Sequence, residues 1–300
     1  MAYINLFIEN ECSLKVKNNQ LIINNMDNSY PLEDINSIII DNIYTNLSTY
    51  LINKICENNI MLYCCNEKHL PTVQILTVNS YVRKFKKLKE QIAIAKPLQK
   101  RLWQQIIIQK IINQARCLEL LGFSEIEYNT LIDMSNRVQS GDITNIEANA
   151  AQYYFKTLYG KTFTRSDENI INSSLNYGYA IIRGMISRSL IAHGLEPSIG
   201  LFHHNELNNF NLCDDLIEPF RPFVDLYITK SIPRDSYILD KEVKTIILNI
   251  VNQIIIIDNK KYNMQMAIEY MVMSLSKSIT EREIYIQLPG IQKLQEYKFL

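Results

Sequence analysis

A change in the spacing of apolar residues near residue 79 limits the folds that this chain can adopt. Before that point, short β-branched and aromatic runs alternate with Asn, Asp and Pro, which is typical of strands joined by turns. After it, apolar residues recur every three or four positions, which is typical of helices packed on a core. The sequence therefore predicts an α+β fold, with a small β-rich, β-sandwich-like domain over 1–78 and a larger all-α domain over 79–300.

The predicted elements follow from these two periods. A tight turn is expected at Asn18 and Asn19 because Asn tolerates positive φ, and one helix is expected among the strands, at Asn46–Glu57. The expected strands are Tyr3–Ile8, Ser13–Lys17, Gln20–Asn24, Ser37–Ile40, Met61–Cys64 and Thr72–Leu76. The expected later helices are Ser80–Ile94, Pro97–Leu121, Ser124–Val138, Asn145–Leu158, Glu168–His193, Cys213–Glu218, Lys241–Gln253 and Met264–Ser276, with a hairpin between the last two.

Composition limits the environment and the partners. The formal net charge is zero, so any attraction to nucleic acid has to come from a local basic surface. The six cysteines form no C-x-x-C pair, the first residues lack a basic and apolar leader, and no apolar run is long enough to cross a bilayer. We expect a cytoplasmic protein that does not bind a membrane.

The segment Leu201–Asp225 has the highest density of chemically active side chains. Because Leu212, Leu216 and Phe220 indicate partial burial, neighbouring carboxylates here would raise one another's pKa, and a divalent cation would relieve that cost. The Pro219 ring is expected to keep Glu218 out of helical conformation. The segment contains His203, His204, Glu206, Asp214, Asp215, Glu218 and Arg221.

A purely structural interpretation explains the same segment. Acidic residues at a helix start stabilise its dipole, histidines in loops are commonly solvated, and Arg221 could pair with Asp215 or Asp225. Glu147 has two interpretations as well. Thr144 and Glu147 fit a capping box, yet Glu147 shares a helix side with apolar residues, which would direct its carboxylate into the interior.

A basic stretch follows the change of period. Eight Lys or Arg residues lie between Arg83 and Arg101 against Glu90 alone. On a helix, Arg83, Lys86 and Lys87 would share one side, and the apolar Val82, Phe85, Leu88 and Ile92 would face inwards. Such a stripe suits a phosphate backbone, although an ordinary solvated face has the same pattern.

Several motifs resemble the CRISPR-associated integrases and endonucleases of spacer acquisition. They are EANAAQYYF from Glu147, LNYGYAIIRGMI from Leu175, IGLFHHNELNNFNLCDDLIEPFRPFVD from Ile199, and the helix LWQQIIIQKIINQA from Leu102. Their order and the β-rich first domain match the family over nearly the whole chain. A glutamate within E-P-F-R-P is similar to the branch that accompanies type II systems.

The resemblance implies a helical catalytic domain in which Glu147, His203 and Glu218 hold a divalent metal, with Asp215 as an auxiliary group. His204 is the neighbouring alternative to His203. Two carboxylates and one imidazole suit Mg²⁺ or Mn²⁺ better than Zn²⁺. Such an ion supports attack on a phosphodiester by a DNA 3′-hydroxyl or by water.

The resemblance further implies a homodimer that joins a small companion subunit of the CRISPR adaptation complex, and possible type II effector partners. The expected substrates are double-stranded DNA with free 3′ ends and CRISPR repeat DNA. From charge alone, Arg83, Lys84, Lys86 and Lys87 are the candidate DNA contacts. Two alternatives stay open at this point, a non-catalytic DNA-binding scaffold and a structure-specific nuclease without integrase activity.

Overall fold

The computed structural model describes residues 4–23, 29–67, 71–75, 83–232 and 238–296. The described parts of Met1–Ser80 form one compact unit, and those of Tyr81–Tyr297 form a second. The predicted starts at Tyr3 and Ser80 and the predicted ends at Asn24 and Leu76 lie outside the described residues.

The described part of the first unit contains two four-stranded sheets, one α-helix and the 3₁₀ turn Leu32–Asp34. The first sheet has the order β1-β5-β7-β8, with β8 antiparallel to β7 and the other pairs parallel. The second has the order β4-β3-β2-β6, with β6 parallel to β2 and the other pairs antiparallel. The elements are β1 Ile4–Ile8, β2 Ser13–Lys17, β3 Gln20–Ile23, β4 Ser29–Pro31, β5 Ile35–Ile40, β6 Asn46–Leu47, α1 Thr49–Glu57, β7 Met61–Cys65 and β8 Pro71–Ile75.

Both sheets and α1 share one apolar core. Leu14 and Leu21 from the second sheet, Ile38 and Leu62 from the first, and Leu51 from α1 are all fully buried in it. The expected turn joins β2 to β3, with φ of 51° at Asn18 and 58° at Asn19. The prediction of a β-rich first part that holds one helix is confirmed.

In the described part of the second unit, the regular structure is helical apart from one antiparallel hairpin, β9 with β10, as expected. Gly122 and Gly194 follow the two longest helices with φ of 86° and 75°, the left-handed conformation that glycine adopts at helix ends. The elements are α2 Lys84–Ile92, α3 Lys96–Leu120, α4 Glu125–Ser135, α5 Ile146–Tyr159, α6 Ile170–Ala192, α7 Asn211–Ile217, α8 Arg221–Ser231, α9 Lys241–Leu248, β9 Ile254–Ile257, β10 Lys260–Asn263 and α10 Met264–Glu281.

The expected break at Glu218 is wrong. Glu218 has φ −52° and ψ −44°, and the 3₁₀ turn Glu218–Phe220 connects α7 directly to α8, a helix that the sequence pattern did not indicate. Pro219 is tolerated because it lies in the first turn of the following segment, where a backbone N–H has no helical partner. Burial of Phe220 and Phe223 then outweighs the preference of a pre-proline residue for extended backbone.

The orientation expected for α2 is also wrong. Phe85 is 70% and Ile92 63% exposed, whereas Lys87 and Gln91 are buried. The Gln91 amide nitrogen donates to the carbonyl oxygens of Glu196 and Ile199, and Lys87 Nζ donates to Thr280 Oγ1 over 2.6 Å. Because these polar ends are satisfied, α2 can pack on the helical unit through its polar side. No helix among the described residues is long and apolar enough to cross a membrane.

Candidate active site

One buried ammonium group connects two predicted metal ligands. Lys110, on α3, is 7% exposed, and its Nζ lies 2.7 Å from Glu147 Oε1 and 2.5 Å from Glu218 Oε2. Burial disfavours the charged form, but the two carboxylates raise the pKa of Lys110 above its usual value. The side chain is therefore an ammonium ion that contacts both glutamates.

Glu147 reaches this position because another residue caps its helix. Both carboxylate oxygens of Asp142 accept hydrogen bonds at the start of α5, from the N–H groups of Ile146 and Glu147, each over 2.9 Å. The preceding Asn145 is left-handed, with φ 53°. The capping box expected from Thr144 and Glu147 is therefore absent at this described helix start. The Glu147 carboxylate is available for the interior instead.

Contacts from two sides fix Glu218 at the junction of α7 and α8. Arg221 Nε donates to Glu218 Oε1 over 2.8 Å, and Asn113, on α3, donates to the carbonyl oxygen of Pro219 over 2.7 Å. Burial alone would raise the pKa of the Glu218 carboxyl, but Arg221 and Lys110 lower it to about 2. Glu218 is therefore an anion at any pH where the protein would work. Arg221 pairs with this glutamate rather than with Asp215 or Asp225.

Asp215 orients His203. Its fully buried carboxylate accepts hydrogen bonds from the N–H groups of Leu201, Phe202 and His203, and Oδ1 lies 2.7 Å from His203 Nδ1. The hydrogen bond with Asp215 raises the pKa of His203, against the lowering effect of its partial burial. Because Asp215 occupies Nδ1, a metal could be bound only through Nε2.

An aromatic platform supports the same loop. Trp103, on α3, stacks on the Phe202 ring at a centroid distance of 4.4 Å and meets the His203 ring edge-on at 5.8 Å. His204, the alternative ligand, is exposed. The buried Asp215 carboxylate and the buried Trp103 indole therefore hold His203 in place. His203 is for this reason the better candidate for the metal ligand than His204.

Gly200 keeps the loop close to Asp215. A Cβ atom at this position would lie 2.3 Å from the His203 carbonyl oxygen and 2.9 Å from Asp215 Oδ2. We expect Gly200→Ala to displace His203 and to destabilise the protein by about 1–3 kcal/mol, as overpacking of a core does. Thermal unfolding measures this, with Gly290→Ala as the control because its nearest atom would be 3.7 Å away. Equal melting temperatures for the two variants would contradict the prediction.

The residues present suit a divalent metal. Glu218 Oε2 is buried and lies 2.5 Å from Lys110 Nζ, so this oxygen already faces a cation. Glu147 supplies a second carboxylate and His203 Nε2 an imidazole nitrogen, a donor set suited to Mg²⁺ or Mn²⁺. The chemical identity of these donors, rather than their spacing in the structure, therefore fits the expected ion.

The structure brings together two of the three predicted ligands. Glu147 and Glu218 meet at Lys110, and the charge of Glu218 contributes to the raised pKa of His203. Within the ranges that the structure describes, no three His, Cys, Asp or Glu side chains are grouped closely enough to hold a metal ion. The complete ligand set Glu147, His203 and Glu218 therefore stays a prediction.

The candidate DNA contacts on α2 divide into two kinds. Arg83, Lys84 and Lys86 are exposed, and they stay candidates for contacts with phosphates. Lys87 is buried, and its Nζ contacts Thr280 and lies 3.1 Å from Glu90 Oε2. This placement argues against Lys87 as a DNA contact, because its ammonium is already used within the helical unit.

Sequence reasoning missed Lys110, the residue on which the site converges. The available signal was one lysine within the otherwise apolar and amide-rich run LWQQIIIQKIINQA, because a charged residue on a buried helix requires a partner. The distance along the chain to Glu147 and Glu218 hid those partners. Asp142, the capping residue, was missed because it lies outside the common capping pattern.

The fold is shared with solved Cas1 and casposase structures. A Cas1 protein from Thermotoga maritima superposes with a TM-score of 0.73 at 16% identity, covering 97% of this chain and 100% of that one. A structure described as a casposase bound to integration product has a TM-score of 0.74 at 18% identity, covering 99% of this chain and 95% of that one. These similarities define a Cas1-like fold.

Sequence comparison gives the family. Residues 6–253 match the family described as CRISPR associated protein Cas1. A relative from Neisseria meningitidis serogroup C (strain 8013), named CRISPR-associated endonuclease Cas1, is 38% identical over 304 residues, which cover 100% of both chains. The chain belongs to the Cas1 family of CRISPR-associated proteins, as its motifs indicated.

Proposed function

We propose that this chain is a divalent-metal-dependent DNA endonuclease and integrase that inserts short duplex DNA into a CRISPR array. The observation that carries the proposal is that Glu147 and Glu218 both contact the ammonium group of Lys110 inside the helical unit. Two carboxylates from distant parts of the chain would repel each other without a cation, so this pocket suits positive charge. The full-length similarity to a relative named as an endonuclease supports the same reaction class.

Glu147, Glu218 and His203 Nε2 would hold Mg²⁺ or Mn²⁺. When bound, such an ion polarises a phosphodiester and stabilises the charge that develops as a nucleophile attacks phosphorus. Asp215 fixes the imidazole tautomer that leaves Nε2 unprotonated, and Arg221 holds the Glu218 carboxylate in place. A DNA 3′-hydroxyl as nucleophile gives strand joining, and water gives hydrolysis.

We propose double-stranded DNA with free 3′ ends and CRISPR repeat DNA as the substrates. A structure described as a casposase bound to integration product has this fold, which supports DNA of that kind as the ligand. A chain described as part of a Cas6-RT-Cas1–Cas2 complex matches with a TM-score of 0.70 at 16% identity, covering 99% of this chain and 36% of that one. This match supports a small companion subunit as a partner. We further propose that the protein is a homodimer, that it works with type II effector proteins, and that it is located in the cytoplasm.

A strand-transfer assay tests the function. The purified protein, its companion subunit, a short duplex with 3′-hydroxyl ends and a plasmid with a leader and one repeat are combined with Mg²⁺ or Mn²⁺. We expect joined product that chelator abolishes. Salt-dependent DNA binding without product would indicate a non-catalytic scaffold, and cleavage of branched DNA without joining would indicate a nuclease. Either result would overturn the proposed integrase.

A further inference from the structure

We propose that Lys110 occupies the place of the divalent ion when no metal is bound and must leave it when metal binds. Lys110 is thus a positioning residue that keeps Glu147 and Glu218 together and lowers the affinity of the site for metal. The proposal rests on the proposed metal-dependent function and adds a residue outside the predicted ligand set.

Geometry supports direct competition. Lys110 Nζ lies 2.7 Å from Glu147 Oε1 and 2.5 Å from Glu218 Oε2, so the ammonium occupies the space between the two carboxylates that a shared metal ion would need. The Lys110 side chain is only 9% exposed, and that of Glu218 is 7% exposed. A metal ion that uses Glu218 Oε2 would therefore meet the ammonium at close range, in a pocket with little water to screen the two charges.

Charge balance leads to the same conclusion. Glu147 and Glu218 carry two negative charges, and Lys110 and Arg221 carry two positive charges, so the group is neutral as it stands. A divalent ion added to this group would give it an excess of two positive charges unless one of the cations withdraws. Arg221 bonds the other oxygen, Oε1, and its planar group can remain there, whereas Lys110 is a flexible point charge at the contested oxygen.

Preorganisation follows from the same contacts. Without a cation between them, Glu147 and Glu218 would repel each other and separate. The lysine holds the carboxylates of α5 and of the α7–α8 junction against α3, so the ligands are in place before metal arrives. Lys110 therefore keeps the two carboxylates in position in the metal-free protein, and it lowers the affinity of the site for metal.

The test compares wild type with Lys110→Met, which keeps the length of the side chain and removes its charge. Binding of Mn²⁺ is measured by electron paramagnetic resonance, and melting is measured in chelator and in Mn²⁺. We expect Mn²⁺ to bind the variant at least about tenfold more tightly than it binds wild type. Residues that contact metal ligands typically change metal affinity by about 10–100-fold, and the expected change is at the lower end of that range. In chelator the variant should melt at least about 2 °C below wild type. Mn²⁺ should raise its melting temperature more than that of wild type.

A second variant separates charge from packing. Lys110→Met combined with Glu147→Gln removes one charge of each sign, and we expect its melting temperature in chelator to return towards that of wild type. If Lys110→Met does not fold in chelator, recovery of the fold on addition of Mn²⁺ supports the proposal, and failure to fold in Mn²⁺ overturns it.

The outcomes distinguish this inference from the proposed function. Mn²⁺ binding by wild type with equal or weaker binding by Lys110→Met overturns the competition and leaves the metal-dependent function intact. If wild type binds no Mn²⁺ and Mg²⁺ does not support joining, the proposed function fails, and the competition fails with it.

Discussion

Glu147→Gln is expected to reduce DNA cleavage and strand joining by at least about a hundredfold. Losing a residue that only supports a metal ligand costs up to about a hundredfold, and losing a ligand should cost at least as much. The substitution keeps the shape of the side chain and removes the charge that would bind Mg²⁺ or Mn²⁺. The protein should still fold, because Lys110 retains Glu218 as a partner 2.5 Å away. Cleavage and joining rates at saturating metal measure the effect, with thermal melting to check the fold.

Glu218→Gln should show the same loss of activity together with a loss of stability. This side chain is 7% exposed and contacts both Lys110 and Arg221, so its neutralisation leaves buried positive charge poorly compensated. Breaking a buried ion pair from one side costs about 3–5 kcal/mol. Chemical denaturation of both glutamine variants measures the difference, and equal stability would contradict the unequal burial of the two carboxylates.

Two exposed neighbours provide matched controls. Glu206→Gln changes a carboxylate in the same loop region, and His204→Ala changes the histidine next to His203, and both residues are exposed. We expect activity close to that of wild type in each, and a loss comparable to that of Glu147→Gln in His203→Ala. A strong loss in His204→Ala with normal activity in His203→Ala would transfer the ligand assignment to His204.

The sequence predicted elements well where a local period determines structure. The turn at Asn18 and Asn19 and the helix that ends before Gly122 depend on backbone preferences of a few residues, and both were predicted. The motifs also indicated the family that the comparisons show. These features need no knowledge of distant contacts.

The errors have tertiary causes. Glu218 is helical despite Pro219 because buried Phe220 and Phe223 stabilise the continuous α7–α8 segment. The apolar side of α2 points outwards because Gln91 and Lys87 find partners on other parts of the helical unit. Lys110 could not be assigned for the same reason, since its partners are remote in sequence. Apolar burial and pairing between distant polar groups thus decided what spacing alone could not.

Asp215→Asn is expected to lower metal affinity and activity by about 10–100-fold, although residue 215 itself is not a predicted ligand. The carboxylate accepts from three backbone N–H groups and from His203. An amide offers one acceptor oxygen and turns N–H donors towards the remaining groups. If that donor faces His203 Nδ1, the ring takes its proton on Nε2, and the nitrogen needed for the metal is blocked.

The pH profile distinguishes this orienting role from general damage to the loop. A metal binds only neutral imidazole, so activity should fall as pH drops through the pKa of His203. Asp215 raises that pKa, which places the acidic limb of wild type above the usual position for histidine. Loss of the carboxylate lowers the pKa, so the residual activity of Asp215→Asn should persist to lower pH than that of wild type.

Asp214→Asn is the control for this shift, because the Asp214 carboxylate contacts Asn208 and Arg183, and its charge raises the pKa of His203 less than the hydrogen bond with Asp215 does. We expect its acidic limb to move to lower pH by less than that of Asp215→Asn. A limb that stays unmoved in Asp215→Asn while activity falls would mean that Asp215 acts only through the fold of the loop. A limb that moves to lower pH, with melting still cooperative, would mean that this buried carboxylate sets the protonation of His203 and, through it, the pH range in which the site can take up metal.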